Sequence, residues 1–302
     1  MLHTSVSVTE RRRAFRAGLA SGRLLRFPGA FTPLSALLIE ELGFEGVYVS
    51  GAVLSAELGL PDIGLTSLGE VAARSHEIAR VTGLPALVDA DTGFGGPLNA
   101  ARSVQVLEEM GVAGCHIEDQ VSPKRCGHLE GKTVVSREEM LARIAAAVGA
   151  RRDPDFVVCA RTDARAVEGI EAAIERARAY VDAGADLVFP EALAGAAELE
   201  RFRSAVDAPI LANMTEFGKT DLLDVATLSS LGVNVVIYPV TLLRLAMGAI
   251  ERGLQELASA GTQRGQVSAM QTRARLYELL DYEGYTKFEA SVSAGALTAD
   301  ED

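Results

Sequence analysis

Short apolar runs alternate along this chain with longer segments in which apolar residues recur at helical spacing. Such alternation is typical of βα units arranged around a parallel sheet. The apolar runs predict strands at residues 24–27, 46–50, 85–89, 114–118, 156–161, 187–190, 210–214 and 235–238. The periodic segments predict helices at residues 33–42, 68–81, 98–110, 137–148, 167–183, 196–206, 222–231 and 242–258.

Several of the predicted helices have start and stop signals. Thr32 followed by Pro33 is an N-cap with proline in the first turn, and Ser136 opens a capping-box pattern. Glycines at positions 43, 83, 111, 184 and 232 stand where helices are expected to end. These signals fix the βα repeat more firmly than periodicity alone.

Eight such units on 302 residues favour a (β/α)8 TIM-type barrel, which is an α/β fold. An open doubly wound sheet is the alternative. A leading N-terminal helix is predicted over residues 10–20, and an extra C-terminal helical extension over residues 262–302. We expect one domain over residues 1–302, whose short acidic tail from Thr298 onward is disordered.

Carboxylates end two neighbouring predicted strands. Asp89 and Asp91 stand two residues apart, a spacing that points both side chains to one side of an extended chain, and Glu118 ends the next strand. Carboxylates that converge at strand ends favour a hard divalent cation, and Mg²⁺ suits a partly hydrated oxygen site. The sequence therefore predicts a metal site formed by Asp89, Asp91 and Glu118, for Mg²⁺ or alternatively Mn²⁺.

One thiol stands among cationic side chains in a polar, glycine-containing loop, Lys124-Arg125-Cys126-Gly127-His128. Neighbouring positive charge lowers the pKa of a thiol from about 8.5, so Cys126 is a candidate for proton transfer near neutral pH. The other two cysteines, Cys115 and Cys159, lie in apolar runs and are expected to be small buried core residues.

Polar and small residues follow the other predicted strands as well. They are Tyr48, Ser50, Gly51, Arg161, Glu191, Asn213 and Thr215. Arg161, Arg244 and Arg273 are available to bind carboxylates, which suits a small polyanionic substrate. The sequence contains no P-loop or dinucleotide fingerprint, and no lysine ends a strand as a Schiff-base candidate. The chemistry is therefore expected to rest on a metal and protein groups.

The composition of the chain argues against nucleic acids and membranes as binding partners. A net charge of −12 disfavours nucleic acid, because phosphate binding needs clustered positive charge. No apolar stretch is long enough to span a bilayer, and the N-terminus lacks the apolar core of a signal peptide, so we expect a cytoplasmic protein that does not bind membranes. Three cysteines do not suggest a disulfide framework. The arginine triplet at positions 11–13 is expected to be a solvated helix start.

Short motifs spread over nearly the whole chain carry a resemblance to one family. They stand at residues 50–51 (Ser-Gly), 60–64 (Leu-Pro-Asp-Ile-Gly), 88–95 (Val-Asp-Ala-Asp-Thr-Gly-Phe-Gly), 116–120 (His-Ile-Glu-Asp-Gln), 124–128 (Lys-Arg-Cys-Gly-His), 160–164 (Ala-Arg-Thr-Asp-Ala), 189–192 (Phe-Pro-Glu-Ala), 211–218 (Leu-Ala-Asn-Met-Thr-Glu-Phe-Gly) and 270–273 (Met-Gln-Thr-Arg). With them the chain resembles the isocitrate lyase/phosphoenolpyruvate mutase superfamily. The cysteine loop is the specific part, because lyases of this superfamily carry such a loop and the phosphonate mutases do not.

The resemblance implies metal-dependent cleavage of methylisocitrate into pyruvate and succinate. It implies that Asp91 contacts Mg²⁺ directly, that Asp89 and Glu118 hold its waters, and that Cys126 protonates the nascent succinate. Lys124, Arg125 and His128 would stabilise the developing charge, and Tyr48, working with Asp62, is the candidate base. The residues expected to hold the substrate's carboxylates and hydroxyl are Ser50, Gly51, Ala52, Gly127, Arg161, Glu191, Asn213, Thr215, Arg244 and Arg273. Where relatives read Ser-Gly-Gly, this chain reads Ser-Gly-Ala at residues 50–52.

Several alternatives stay open at this point. Isocitrate differs from methylisocitrate by one methyl group, and Phe189 and Ile237 are the expected wall of the methyl pocket. The absence of tryptophan from the chain favours the methylated substrate. An oxaloacetate decarboxylase or a phosphonate-processing enzyme would keep the metal site, and a non-catalytic metabolite-binding protein is the alternative of another class. The resemblance also implies a homotetramer in which the C-terminal helices pack on a neighbouring subunit.

Overall fold

A computed structural model describes residues 4–125, 127 and 131–293 of the chain. The chain divides into two compact units, Val6–Leu243 and a second one that combines Met1–Ser5 with Arg244–Asp302. We call them the barrel unit and the C-terminal unit. The described residues contain no helix that is both long enough and apolar enough to cross a membrane.

The barrel unit is built on a ring of parallel strands. The strands are β1 Leu25–Pro28, β2 Val47–Val49, β3 Ala86–Asp89, β4 Gly114–Glu118, β5 Val157–Thr162, β6 Leu187–Pro190, β7 Leu211–Asn213 and β8 Val235–Tyr238. Strands β2 to β6 pair in chain order, and β8 lies between β7 and β1. Parallel bridges from Gly29 to Tyr48 and from Val188 to Ile210 join the two groups. The ring is therefore closed, which confirms the (β/α)8 barrel over the open sheet.

The helices follow the strands as the sequence predicts. Those of the barrel unit are α1 Val8–Ala20, α2 Pro33–Glu41, α3 Gly51–Glu57, α4 Leu68–Ala79, α5 Pro97–Glu109, α6 Arg137–Ala150, α7 Ala164–Val167, α8 Ile170–Asp182, α9 Ala196–Ala205 and α10 Val225–Ser230. α11 Thr241–Ala260 starts in the barrel unit and continues into the C-terminal unit. The caps act where expected: the Thr32 and Ser136 side chains accept hydrogen bonds from Ser35 N and Glu139 N.

Two helical segments differ from the prediction. The single helix predicted over residues 167–183 is divided into α7 and α8, because Gly169 has a φ of 95°, which a helix cannot contain. The short helix α3 was not predicted, since it begins at Gly51 directly after the second strand. Ser50 caps α3 by accepting from Val53 N at 3.4 Å, so a residue predicted to bind substrate also starts a helix.

Apolar side chains fill the inside of the barrel. Phe27, Leu87, Leu187 and Leu211 are fully or almost fully buried in one cluster, which also contains the thiol-bearing Cys159. Cys115, one strand position before His116, lies instead in the cluster between sheet and helices. Both cysteines are buried and free, as predicted. Burial raises the pKa of the Cys115 thiol to about 12, so neither thiol suits proton transfer.

Helix α1 joins the N-terminal side of the barrel, and here the prediction of a solvated arginine triplet was wrong for Arg11 and Arg12, whereas Arg13 is exposed as predicted. Arg11 and Arg12 are buried, and Arg12 donates to Val112 O, just before β4, and to Glu108 O. Arg11 donates to Ala79 O and Thr82 O. A guanidinium can cover several backbone carbonyls at once, so the two side chains cap the ends of neighbouring elements instead of meeting solvent.

The C-terminal unit contains the rest of α11, a 3₁₀ turn η1 Arg264–Ala269, α12 Arg273–Leu279 and α13 Tyr282–Ser293. Glu256 accepts from Gly265 N at 2.8 Å and from Gln266 Nε2 at 2.7 Å, which fastens η1 to α11. Tyr277 and Tyr282 stack with ring centroids 4.8 Å apart. The predicted acidic tail, residues 298–302, lies outside the described residues.

Candidate active site

The parallel register brings the predicted site residues to one level of the barrel. Asp89 pairs with His116, Glu118 with Arg161, and Arg161 with Phe189. Each stands at or near the C-terminal end of its strand, and in a closed ring these ends share one face. Side chains that are up to 100 residues apart in sequence therefore meet at this face.

The two aspartates predicted to bind metal are held in different ways. Asp89 accepts from Gly51 N at 3.1 Å and from Asp91 N at 3.0 Å, so a backbone amide engages each of its oxygens. A Cβ at Gly51 would lie 2.9 Å from Asp89 Oδ2, which explains why glycine follows Ser50. Asp91 has a φ of 45°, a conformation that residues other than glycine rarely adopt. The backbone here is shaped around the carboxylate pair.

The pKa values of the three predicted metal-site carboxyl groups are shifted in different directions. Burial and the charge of Asp89 raise the pKa of Asp91 to about 6. Burial also raises the pKa of Asp89, but His116, Lys124 and Arg161 outweigh it and the net shift is downward. The pKa of Glu118 is raised well above its usual value, chiefly by burial. This spread is typical of carboxylates crowded in a low-dielectric site, where additional positive charge is favourable.

Oxygen atoms of this group fit a hard cation. Neither carboxylate oxygen of Glu118 accepts a hydrogen bond from the residues that the structure describes, although Arg161 Nη1 lies 3.2 Å from Oε2. Asp91 Oδ1 is also without a hydrogen bond there, although Lys124 Nζ pairs with it at 3.0 Å. Buried acceptors without donors are costly unless a cation or its waters satisfy them. Among the described ranges, no three His, Cys, Asp or Glu side chains form a ready ligand cluster, and the predicted site requires only Asp91 as a direct ligand.

Lys124 connects the cysteine loop to the carboxylates. Its ammonium pairs with Asp62 at hydrogen-bond distance and with Asp91 at 3.0 Å, while its side chain is 5% exposed. The surrounding carboxylates outweigh burial and raise the pKa of Lys124, so the side chain is charged at neutral pH. Asp62 is therefore engaged by Lys124. The structure thus joins these two predicted residues to each other.

A cavity of about 630 Å³ adjoins Asp91 and Lys124. Its other walls include Thr92, Asn99 and Arg102. The volume falls within the usual range for small-molecule sites. The cavity therefore adjoins the predicted metal site through Asp91 and Lys124.

Arg161 is the centre of a second group of charges. Its guanidinium lies 3.2 Å from Glu118, 3.0 Å from Asp163 and 3.4 Å from Glu191, and it covers the ring of Phe189 at 5.1 Å. Asn213 Nδ2 lies 3.4 Å from both oxygens of Glu191. The sequence predicted Arg161, Glu191 and Asn213 as substrate-binding residues, and the structure brings the three side chains together.

Tyr48 has an unexpected partner. Its hydroxyl lies 2.7 Å from His116 Nε2, and the two buried rings stack with an interplanar angle of 9°. Burial raises the pKa of Tyr48 well above 10 and lowers the pKa of His116 to about 4, so both groups are neutral at pH 7. Sequence reasoning missed His116 as a site residue, although its position two residues before Glu118 on the same strand was a usable signal.

Part of the cysteine loop lies outside the described residues. Cys126 and His128, the predicted acid and one of its neighbours, are among the residues not described. The Arg125 side chain is exposed, whereas Gly127 is buried. A Cβ on Gly127 would lie 2.4 Å from Arg161 Nη2 and 2.6 Å from Glu191 Cγ, so Gly127 packs directly against these two residues. The loop therefore reaches the predicted substrate site at Gly127.

The remaining predicted residues are distributed between the two units. Ser50 and Thr215 are buried in the barrel unit, and Ala52 is partly buried in α3. Phe189 and Ile237, the expected wall of a methyl pocket, are 1% exposed inside the barrel. Arg244 lies in α11 and Arg273 opens α12, both in the C-terminal unit. Their role toward substrate stays a prediction.

A (β/α)8 barrel whose strand ends carry carboxylates, a buried arginine and a polar cavity has the architecture of an enzyme for small organic acids. Comparison with known proteins identifies the family. The family model described as phosphoenolpyruvate phosphomutase matches residues 15–258. The chain therefore belongs to the phosphoenolpyruvate phosphomutase family.

Named relatives and a solved structure agree with this assignment. The chain is 62% identical over 292 residues to "Probable 2-methylisocitrate lyase 2" of Corynebacterium glutamicum, covering 97% of this chain and 95% of the relative. It is 48% identical over 275 residues to "2-methylisocitrate lyase" of Escherichia coli, covering 90% and 93%. A solved structure of phosphonopyruvate hydrolase in complex with oxalate and Mg²⁺ superposes with a TM-score of 0.85 at 32% identity, covering 93% of this chain and 98% of that one.

Proposed function

We propose that this protein is a carbon–carbon lyase that cleaves 2-methylisocitrate into pyruvate and succinate. The observation that carries the proposal is the high identity to lyases of this name over nearly the whole chain. The strand-end site supports it, because it combines carboxylates for a divalent cation with a buried arginine and polar residues for an organic acid. The substrate has three carboxylates and one hydroxyl, which matches this mixture of charges.

The metal site of the proposal uses Asp91 as the direct ligand, with Asp89 and Glu118 holding coordinated waters. When bound, Mg²⁺ would supply positive charge that favours loss of the substrate's hydroxyl proton. The acceptor oxygens of Glu118 and Asp91 support this assignment, as does the raised pKa of Asp91. Mg²⁺ is our choice of ion because the ligands are hard oxygens and partly water-mediated.

The cleavage step needs a base at the substrate's hydroxyl and an acid at the carbon that becomes part of succinate. The base removes the hydroxyl proton, the C2–C3 bond breaks as the pyruvate carbonyl forms, and the electron pair moves onto the succinate half. Cys126 then donates a proton to that carbon, which completes succinate. Lys124, Arg125 and His128 accompany the thiol in sequence and supply positive charge for this step.

Tyr48 acts as the base together with His116. The phenol has a pKa raised well above 10, so it cannot wait as a free phenolate at neutral pH. His116 Nε2 at 2.7 Å orients the phenol, but its pKa, lowered to about 4, makes it a poor acceptor for the phenolic proton. Positive charge from a bound cation would favour loss of that proton to solvent, and the phenolate then takes the hydroxyl proton of the substrate. In this scheme Asp62 holds Lys124 in place instead of assisting Tyr48.

In the proposal, residues around Arg161 bind the carboxylates of the substrate. Arg161, Glu191, Asn213 and Gly127 form one connected surface, which supports a shared role in holding the substrate. We assign the smaller contacts to Ser50, Gly51, Ala52 and Thr215. Arg244 and Arg273 complete the set of carboxylate-binding residues in the proposal.

The assembly proposed for the enzyme is a homotetramer. Large apolar side chains of the C-terminal unit are exposed, among them Leu254 at 60%, Tyr282 at 59% and Phe288 at 57%. Large apolar side chains that are exposed in this way favour burial against another chain. Light scattering coupled to size exclusion would report four times the 31.9 kDa chain mass, and a monomeric mass would refute the tetramer.

The proposed activity is tested by a substrate comparison. Purified protein with Mg²⁺ is incubated separately with 2-methylisocitrate, isocitrate, oxaloacetate and phosphonopyruvate, and kcat/KM is measured for each. The proposal requires the highest value for 2-methylisocitrate. A higher value for isocitrate would make the protein an isocitrate lyase, and one for oxaloacetate or phosphonopyruvate would reassign it within the family. Binding without turnover of any compound would favour a metabolite-binding protein.

A further inference from the structure

The segment that contains the cysteine loop leaves the barrel and returns to it at one paired point. Val121 N donates to Thr133 O at 2.9 Å, and Val135 N donates to Asp119 O at 2.8 Å. Gln120 and Val134 form an antiparallel bridge between these bonds. The two ends of the segment are therefore fixed to each other directly after β4.

Gln120 also holds the first half of the segment. Its side chain is 1% exposed, and its amide donates from Nε2 to Arg125 O at 2.9 Å. Its Oε1 accepts from Arg125 N at 2.9 Å. The primary amide thus pairs with both backbone groups of residue 125, as a strand partner would. This fixes the orientation of the peptides before and after residue 125.

Lys132 holds the second half. Its side chain is 2% exposed, and its ammonium donates to the carbonyl of Gly127 and to Asp163 Oδ1 at 2.7 Å. Asp163 is itself fixed, because its backbone N donates to Asp119 Oδ1 at 2.8 Å and its carboxylate accepts from Arg161 Nε at 3.0 Å. The contact of Lys132 with Gly127 is thus anchored to strands β4 and β5.

A buried lysine is costly unless its charge is paired and its hydrogens are bonded, so such a residue needs a reason. Here the ammonium connects a fixed carboxylate to one backbone carbonyl of the loop. Arg161 also donates to Asp163, at 3.0 Å and 3.2 Å, but it is shared with Glu118 and Glu191, so Lys132 adds a second cation to this group. Its contact with Gly127 O is the one that reaches the cysteine loop.

We propose that Gln120 and Lys132 are positioning residues that fix the backbone on the two sides of Cys126. Gln120 holds the backbone of residue 125 and Lys132 holds the carbonyl of residue 127, and Cys126, the proton donor of the proposed reaction, lies between these two positions in sequence. The inference rests on the proposed function for its catalytic consequence. Neither residue contacts the carboxylates assigned to the metal, so metal binding is expected to be independent of both.

The experiment compares Lys132→Met and Gln120→Leu with the wild-type enzyme and with Lys287→Met. Lys287 is a surface lysine whose side chain is 74% exposed, so its variant controls for the loss of one charge. Four quantities are measured: kcat, KM, the rise in melting temperature on adding Mg²⁺, and the rate of Cys126 alkylation by iodoacetamide. The alkylation rate is read by mass spectrometry of the peptide that contains residue 126.

We expect kcat to fall about 100-fold in both loop variants, because a displacement of about 1 Å at a reacting group costs this much. KM should rise in Lys132→Met, because Gly127 also belongs to the proposed substrate surface, and stay within about twofold of wild type in Gln120→Leu. The Mg²⁺-induced shift should stay within about twofold of wild type in both, and the alkylation rate should change. Lys287→Met should match wild type in all four. Lys132→Arg should recover part of kcat, because its guanidinium can still donate to both Gly127 O and Asp163.

Loop variants with wild-type kcat and alkylation rate would overturn the inference. Equal loss of kcat and of the Mg²⁺-induced shift would also overturn it, since that result indicates general damage to the barrel. If Lys132→Met does not fold, Gln120→Leu, which leaves no charge unpaired, decides alone. If the wild-type protein cleaves no substrate but both loop variants differ from it in alkylation rate, the proposed function is refuted and the positioning role is kept.

Discussion

The hydroxyl of Tyr48 lies 2.7 Å from Nε2 of His116, with both rings buried in the barrel. Tyr48 comes from β2 and His116 from β4, so the contact passes over β3 and the carboxylate of Asp89. Asp89 Oδ1 is 3.6 Å from the same histidine nitrogen. The tyrosine proposed as base is thus connected through one neutral imidazole to Asp89, one of the carboxylates proposed for the metal site.

Replacing Tyr48 by phenylalanine should remove turnover and keep the fold. We expect kcat to fall by a factor of about 10² to 10⁴, the usual contribution of a positioned acid or base. Tyr282→Phe is the control for the loss of one phenolic hydroxyl, because Tyr282 is 59% exposed and stacks on Tyr277 in the C-terminal unit. It should keep both stability and kcat. Similar kcat values for the two variants would contradict the assignment of Tyr48.

Asp91→Asn should stabilise the protein in the absence of divalent metal and abolish stabilisation by Mg²⁺. The folded pKa of Asp91, about 6, is raised above the usual 3.8. The protonated carboxyl group of Asp91 contributes fully to the stability of the metal-free folded protein below pH 3.8, and this contribution is lost as the pH rises through about 6. At pH 7.5 the ionised carboxylate therefore weakens the metal-free fold, and asparagine relieves this.

Thermal unfolding with EDTA and with Mg²⁺ checks the Asp91 prediction. In EDTA the melting temperature of Asp91→Asn should exceed that of wild type at pH 7.5, and the difference should shrink at pH 5. The control is Asp207→Asn, an aspartate whose side chain is fully exposed, which should respond to Mg²⁺ as wild type does. An Asp91→Asn variant that Mg²⁺ still stabilises fully would exclude Asp91 as the direct ligand.

Thiol titration should distinguish Cys126 from the other two cysteines. Cys115 and Cys159 are buried, and burial raises the pKa of both thiols. We expect a disulfide reagent to modify one thiol per folded chain and three per unfolded chain, and none in folded Cys126→Ser. Modification of Cys115 or Cys159 in the folded protein would show that the barrel interior is accessible.

Gly127→Ala should impair turnover for a steric reason. The added methyl would lie 2.4 Å from Arg161 Nη2 and 2.6 Å from Glu191 Cγ, so the loop or these side chains must move. We expect a loss of kcat/KM of at least tenfold, measured with 2-methylisocitrate. Gly149→Ala is the control, because nothing lies within 4 Å of its added methyl and it stands in α6. It should keep activity and gain up to about 1 kcal/mol of stability.

The sequence was sufficient to predict site residues that stand at the ends of apolar runs. Asp89, Glu118 and Arg161 each end an apolar run, and parallel strands of a barrel align such ends, so their convergence followed from the βα pattern. Their individual roles toward metal and substrate stay proposals. The caps at Thr32 and Ser136 were also predictable, because capping depends on local sequence.

Other features depend on contacts that sequence spacing does not reveal. His116 stands inside an apolar strand, where its pairing with Tyr48 depends on the tilt of strands two positions apart in the ring. Arg11 and Arg12 cluster in a manner typical of solvated helices, yet they cap carbonyls that are distant in sequence. Lys132 was similarly inconspicuous, because its importance depends on Gly127 and Asp163, which only the folded chain brings to it.

Cleavage of 2-methylisocitrate in D₂O with Mg²⁺, followed by NMR of both products, tests the proposed function most directly. We predict equal amounts of pyruvate without deuterium and succinate with one deuterium, because the only solvent-derived proton enters the succinate half. Absence of cleavage, or cleavage that yields succinate without deuterium, would contradict the proposed function.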